Sequence, residues 1–480
     1  MSDIHPLERV ARAAGAVTPS PRQLAWQELE FNAFFHFGVN TFTDREWGLG
    51  TEPEELFDPT ALDAGQWART CKAAGIRMLI LTAKHHDGFC LWPSRYTKHS
   101  VESSPWREGR GDVVREVADA CRAAGLKFGV YLSPWDRNSP LYGTPEYNAY
   151  FKDQLTELLT QYGEIGEVWF DGACGEGPNS KRQVYDWAGY IALVRRLQPN
   201  AVIGPSGPDV RWVGNEEGLA RDTEWSVIGT EHDLEQPTFA DWNDAFYNQM
   251  LSGTRHASQP GALESLVDAP RLAWWPSEVD VSIRPGWFYH ASEDLRVHPL
   301  ERLVDIYYRS VGRNNVLLLN LPPDRRGLIH EHDAARLAEL RRTLDATFHA
   351  DLARGAAVAA SSALPGRPAA HALDPSPAIY WQADARDAQP ELELDLGRPV
   401  AFNRLRLEEM IATGQRIASY VLEAWHDAAW KEVCRGTTVG HKRLDRFGEV
   451  TAQRVRLRIV ESRGAPTLRG FGLYRAALGG

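Results

Sequence analysis

The chain has 480 residues, 43% of them hydrophobic and 24% charged, values that exclude a disordered or fibrous protein. Its 53 Lys and Arg against 64 Asp and Glu leave a formal charge of −11 without any basic block, which argues against a nucleic-acid or anionic-membrane binder. No apolar run reaches the roughly 18–20 residues that span a bilayer. The opening MSDIHPLERVARAAG has no apolar signal core, so a cytoplasmic protein is expected, although a trimmed secreted or periplasmic form reads the same. The cysteines, Cys71, Cys90, Cys121, Cys174 and Cys434, are scattered without a C-x-x-C, which points to reduced thiols rather than a disulfide framework or zinc cluster.

From the N-terminus, strand and helix alternate. Phe31–Phe42 reads as a buried strand and Leu62–Ala74 as a helix stopped by Gly75, followed by the strand Ile76–Ala83. The unit repeats: Val113, Val114, Val117, Cys121 and Ala124 share a helical face, Gly125 ends it, and Leu126–Ser133 is the next strand. A stripe of Phe151, Leu155, Leu158, Leu159 and Tyr162 then precedes the strand Glu167–Phe170. Later units read as a helix over Lys181–Leu197, strands at Ala201–Gly204 and Trp275–Ile283, a helix over Glu301–Val311 and a last strand, Val316–Leu321. About eight such units in some 300 residues favour a closed (β/α)8-like barrel, the TIM barrel, over an open doubly wound sheet, since no glycine-rich phosphate loop follows the first strand.

After a helix at Glu331–Leu352 the pattern becomes strict alternation, in Glu391–Leu396, Asn403–Leu407, Tyr420–Trp425 and Arg454–Ile459, which predicts an antiparallel β-sandwich. The α/β barrel is thus assigned to residues 1–350 and the sandwich to 351–480.

Barrel active sites lie at the C-terminal ends of the strands. Those ends carry His36 and then Asp44-Arg45-Glu46-Trp47, Lys84-His85-His86-Asp87, Tyr131 with Trp135, and Trp169-Phe170-Asp171. Further on come Arg211–Glu217, Ser277-Glu278-Val279-Asp280 and Arg284-Pro285-Gly286-Trp287. Carboxylates, histidines and tryptophans dominate, and no G-x-S-x-G nucleophile is present. Seventeen tryptophans either fill the core or present flat faces to sugar rings. Two carboxylates flanking an acetal, one ionised and one protonated, are what glycoside hydrolysis needs. Adjacent histidines diverge and do not share one ion, so His85-His86 reads as a hydrogen-bonding pair, and no metal or cofactor is expected.

FFHFGVNTF, AKHHDGF, YLSPWD and VWFDG, in this order, resemble glycoside hydrolase family 29, the retaining α-L-fucosidases. RWVGNE with SEVDVSIRPGWFY resembles the subgroup acting on α-1,3- and α-1,4-linked fucose of branched, Lewis-type glycans. The C-terminal region, with AAVAASSA and Trp381 in DPSPAIYWQA, resembles discoidin-like (F5/8 type C, galactose-binding-like) sandwiches. The resemblance implies Asp171 as nucleophile and Glu216 as acid/base, while the residues themselves leave adjacent Glu217, and Glu278 near a probable strand end, as alternatives to Glu216. It implies His36, Glu46, Trp47, His85, His86 and Tyr131 around the fucose hydroxyls, Trp169 beside the nucleophile, Trp287 against the C5 methyl, and Arg284 at the substrate. The implied partner is a fucosylated oligosaccharide or glycoconjugate glycan. The alternatives are a fucosidase of broader linkage range or a non-catalytic fucose- or galactose-binding scaffold.

Overall fold

A computed structural model describes residues 5–231, 233–236 and 260–476. Eight parallel strands form a nearly closed barrel: β1 (Phe31–Phe35), β2 (Met78–Lys84), β3 (Lys127–Leu132), β4 (Glu167–Phe170), β5 (Val202–Pro205), β6 (Arg211–Trp212), β9 (Ser277–Ser282) and β10 (Val316–Asn320). The order is β5-β4-β3-β2-β1-β10-β9-β6, so the seam of the barrel falls between β5 and β6. A separate antiparallel ribbon pairs β7 (Val227–Thr230) with β8 (Arg271–Trp274).

The helices between strands start and stop where side-chain chemistry satisfies their free ends. Asp63 caps the helix Ala64–Ala74 by accepting from Gln66 N–H, and Gly75, at φ +85°, turns the chain out of it. Asp112 and Gly125 do the same for Val113–Ala124. The buried faces of both helices pack on the barrel wall through Trp67, Cys71, Val114, Val117 and Cys121.

Three expected boundaries move. The first strand ends at Phe35 rather than Phe42, because the chain turns into a short helix, Val39–Thr43. The helix expected from Lys181 begins at Trp187, capped by Asp186, while Gln183 and Val184 bind the 143–148 segment instead. The strand expected over Trp275–Ile283 begins only at Ser277, after Pro276, and ends at Ser282.

The last barrel helix, Glu331–Phe348, leads to an antiparallel sheet. Its strands are β11 (Ala357–Ala360), β13 (Glu391–Glu408), β14 (Ile417–His426), β15 (Ala429–Gly436), β16 (Arg443–Ser462) and β18 (Gly470–Tyr474). A short pair, β12 (Trp381–Gln382) with β17 (Thr467–Leu468), lies against it. The two short strands expected at Glu391–Leu396 and Asn403–Leu407 are one long strand, β13, whose register shifts after Asp395 and again after Phe402. This sandwich has its own core of Leu392, Leu394, Phe402, Leu422, Leu457 and Trp381.

The two units share a polar seam beneath the barrel. Glu30, just before β1, accepts from Lys442 Nζ (2.5 Å) and pairs with His441 Nε2 (2.9 Å). Against the upward push of burial, the Lys442 charge and the hydrogen bond from His441 hold the Glu30 carboxyl well below the ordinary range. Arg469 reaches Glu28 (2.5 Å), and Gln415 accepts from Ser226 N–H (2.8 Å) and donates to Glu224 O (2.9 Å).

Candidate active site

Asp171 directly follows β4 and therefore stands at the barrel mouth. Its Oδ1 accepts from Ala173 N–H (2.7 Å) and its Oδ2 from the Tyr131 hydroxyl (3.2 Å). His86 Nε2 lies 3.8 Å from the same Oδ2. Burial raises the Tyr131 phenol well above its ordinary range, with the Asp171 charge adding to the effect, so it remains a neutral donor.

The surrounding hydrogen bonds assign the histidine tautomers. Ser133 Oγ donates to Trp135 O (2.7 Å) and so accepts from His86 Nδ1 (2.7 Å), which leaves His86 Nε2 bare. Asn320 Nδ2 donates to Ser282 Oγ (2.9 Å) and Trp287 O (2.8 Å), so its Oδ1 accepts from His36 N–H (3.2 Å) and His36 Nδ1 (2.9 Å). His36 Nε2 is therefore also a bare acceptor. Burial lowers the His36 imidazolium to about 3 and pushes His85 and His86 down as well, so all three rings are neutral near pH 7. His85 lies nearly parallel to Tyr131, with centroids 5.8 Å apart, and has Phe288 edge-on at 5.1 Å.

Glu216, in the loop after β6, accepts from Trp287 Nε1 (3.1 Å). Partial desolvation, then the repulsion of Asp171 and Glu46, raises its carboxyl above the ordinary range, while the indole bond pulls the other way. Glu216 is solvent-exposed at the rim, so the desolvation part grows when a sugar covers it. Glu217 is also exposed, and its N–H is tied to Asn215 Oδ1 (3.1 Å). Glu278 lies inside the barrel, fully buried, accepting from Trp169 Nε1 (2.8 Å).

The walls are aromatic. Trp169 packs 5.0 Å from Phe34 and 5.2 Å from Tyr131, and Trp287 lies 5.1 Å from His36. Trp47 is 60% exposed and stands edge-on to His86 (5.9 Å) and Trp135 (5.7 Å), forming a lip rather than a floor. Most other tryptophans, Trp67, Trp92 and Trp381 among them, are core residues.

Glu46 is braced at the rim, and Arg284 is buried in the wall. Both oxygens of Glu46 are taken: Oε2 by Trp287 N–H (2.8 Å), Oε1 by Phe288 N–H (3.1 Å) and His290 Nε2 (2.7 Å). Glu46 thus fastens the Trp47 loop to the Trp287 segment. The expectation for Arg284 is corrected. Its side chain is fully buried, paired with Asp333 (2.9 Å) and Asp294 (2.9 Å), and lies over the Tyr289 ring. Fully buried in the wall against two carboxylates, the guanidinium is closed off from a sugar at the mouth.

The sequence does not single out Asn320 and Ser133, which orient His36 and His86, or Ser282, which anchors Asn320. Asn320 carried a usable signal as the last residue of the VLLLN strand. Among the described residues, no group of three or more His, Cys, Asp or Glu has metal-binding geometry.

The family profile described as Alpha-L-fucosidase matches residues 17–347, and that of the F5/8 type C domain matches residues 357–470. The chain is 44% identical over 466 residues to Alpha-L-fucosidase 1 of Arabidopsis thaliana, covering 95% of this chain and 87% of that one. It is 48% identical to a putative alpha-L-fucosidase from Bacteroides ovatus, with TM-score 0.85 over 99% of this chain and 77% of that one. A Ruminococcus gnavus GH29 fucosidase solved in complex with fucose is 30% identical, with TM-score 0.84 and 96% of both chains covered.

Proposed function

The chain belongs to the alpha-L-fucosidase family of glycoside hydrolases, and from that premise we propose that it is a retaining exo-enzyme with Asp171 as nucleophile and Glu216 as acid/base. The observation that carries this reading is the shared mouth. Asp171 is held by Tyr131 and Ala173 N–H, and its charge bears on a Glu216 carboxyl whose proton is retained above the ordinary range.

In the first step Asp171 Oδ attacks the anomeric carbon, the glycosidic C–O bond breaks, and the Glu216 proton passes to the leaving oxygen. A fucosyl ester forms on Asp171. In the second step the ionised Glu216 removes a proton from water, the resulting hydroxide oxygen bonds to the anomeric carbon, and Asp171 departs as carboxylate. Two inversions leave the configuration retained.

His36 Nε2 and His86 Nε2 accept hydroxyl hydrogens of fucose, and Tyr131, His85 and Trp169 close its inner side. Trp287 covers the C5 methyl while its indole N–H steadies Glu216. The Trp47 lip and the exposed Glu216-Glu217 loop stand at the rim, on the side open to the rest of the glycan, which supports a preference for α-1,3 and α-1,4 linkages in branched, Lewis-type oligosaccharides.

The test is a panel of linkage-defined fucosyl oligosaccharides with wild type and Asp171→Ala. Branched α-1,3 and α-1,4 substrates should be cleaved fastest, Asp171→Ala should lose several orders of magnitude, and azide should restore turnover by giving the β-fucosyl azide. Equal rates on α-1,2 linkages reject the linkage preference alone, and near-normal turnover by Asp171→Ala rejects the nucleophile.

A further inference from the structure

Four carboxyl groups, three buried inside the barrel and one at its rim, each accept from a different indole. Glu167 Oε2 takes Trp26 Nε1–H (2.7 Å) and Glu278 Oε2 takes Trp169 Nε1–H (2.8 Å). Higher up, Asp280 Oδ1 takes Trp212 Nε1–H (2.7 Å) and Glu216 Oε2 takes Trp287 Nε1–H (3.1 Å). Among the described residues none of the four has a cationic partner. Burial raises the carboxyls of Glu167, Glu278 and Asp280 above the ordinary range and so favours their protonated forms. A protonated carboxyl still accepts through its carbonyl oxygen, so each acid works as a fixed peg for one tryptophan.

The peg at Asp280 bears on catalysis. Its tryptophan, Trp212, is the second residue of β6, a strand only two residues long at the open edge of the barrel. β6 meets β9 over the pairs Arg211↔Ser277 and Trp212↔Glu278, through the backbone bonds Arg211 N→Pro276 O (3.0 Å) and Val213 N→Glu278 O (2.9 Å). Beyond β6 the chain bends at Gly214, where φ is +102°, and presents Glu216. The Trp212–Asp280 bond adds a side-chain link to this short ladder, close to the point where the loop departs.

We propose that Asp280 is a positioning residue for the acid/base carboxyl: by gripping Trp212 it sets the strand from which Glu216 reaches the glycosidic oxygen. This rests on the assignment of Glu216 made above. The effect runs through hydrogen-bond geometry and needs no proton transfer from Asp280.

Two substrates separate positioning of the acid from general damage. Cleaving an α-1,3-fucosyl oligosaccharide requires protonation of a poor leaving group, whereas 2-chloro-4-nitrophenyl α-L-fucoside releases a phenolate that leaves without it. In Asp280→Ala and Trp212→Phe, kcat/KM on the oligosaccharide should fall about 10-fold or more, against a change below about 3-fold on the aryl fucoside. Asp280→Asn keeps an acceptor for Trp212 and should restore both values to near wild type. Trp212→Phe keeps an aromatic side chain while removing the donor, so the test stands even where Asp280→Ala folds poorly. Equal losses on the two substrates, no loss, or an Asp280→Asn as impaired as Asp280→Ala overturn the inference. Glu216→Ala is the control. If it shows no leaving-group dependence, the acid/base assignment itself fails and the inference falls with it, an outcome distinct from failure of the Asp280 variants alone.

Discussion

Tyr131 gives its phenolic hydrogen to Oδ2 of Asp171 across 3.2 Å. In the proposed cycle Asp171 loses charge as it attacks and regains it as the ester breaks, so this hydrogen bond strengthens during the second step. A hydrogen bond to a charged group contributes about 1.5–3 kcal/mol. Tyr131→Phe should therefore lower kcat about 10- to 100-fold and lower KM with it, because the fucosyl ester accumulates. Mass spectrometry of quenched reactions would detect that ester, and a raised KM without accumulation would contradict the role.

Asn320 holds His36 in the tautomer whose Nε2 accepts. Asn320→Ala frees the ring, removes two acceptor contacts, and should lower kcat/KM about 10-fold, on the scale of one net hydrogen bond. His36, His85 and His86 are all pushed down from 6.5. Hence the acidic limb of the kcat/KM profile should lie below the histidine range, and a limb near 6.5 that disappears in His86→Gln would contradict this.

Glu167 is buried at the barrel floor, and burial raises its carboxyl from 4.5 to about 8. The folded state holds this proton more tightly than the unfolded state. Its contribution to stability is therefore fullest below pH 4.5 and declines as pH rises toward 8. Glu167→Gln keeps an acceptor for Trp26 without titrating. It should be more stable than wild type at pH 8 by up to a few kcal/mol, with the difference shrinking toward pH 5. Urea midpoints at the two pH values measure it, and a variant equally destabilised at both would count against a protonated Glu167.

Arg284 and Asp333 form a pair with both side chains fully buried. Arg284→Ala leaves Asp333 buried and unmatched, at a cost of about 3–5 kcal/mol. The melting temperature should drop sharply while KM of the folded fraction changes less than about 3-fold, the pattern of a wall residue. A large KM increase at unchanged stability would return Arg284 to the sugar.

The sequence exposes the strand ends because a buried parallel strand is a short apolar run and its first polar residue marks the mouth. His36, His85, His86, Tyr131, Trp169 and Asp171 are found that way and do converge. Arg284 shows the limit of the method. It lies two residues beyond the end of β9, where the chain has turned and the inward parity of the strand no longer applies. The pairing of indoles with acids was not legible at all. Partners such as Trp26 and Glu167 lie 141 positions apart, and each residue alone reads as an ordinary core or surface group.

The seam at Glu30 alters how the C-terminal sandwich should be regarded. Glu30 sits one residue before the first barrel strand, and its partners, His441 and Lys442, come from the other end of the chain. A barrel cut off after Phe348 would lose both hydrogen bonds and bare the entry to its first strand to water. The appendage is thus a keystone as much as a tool, and exchanging it for another module means redesigning the ground on which the first strand stands.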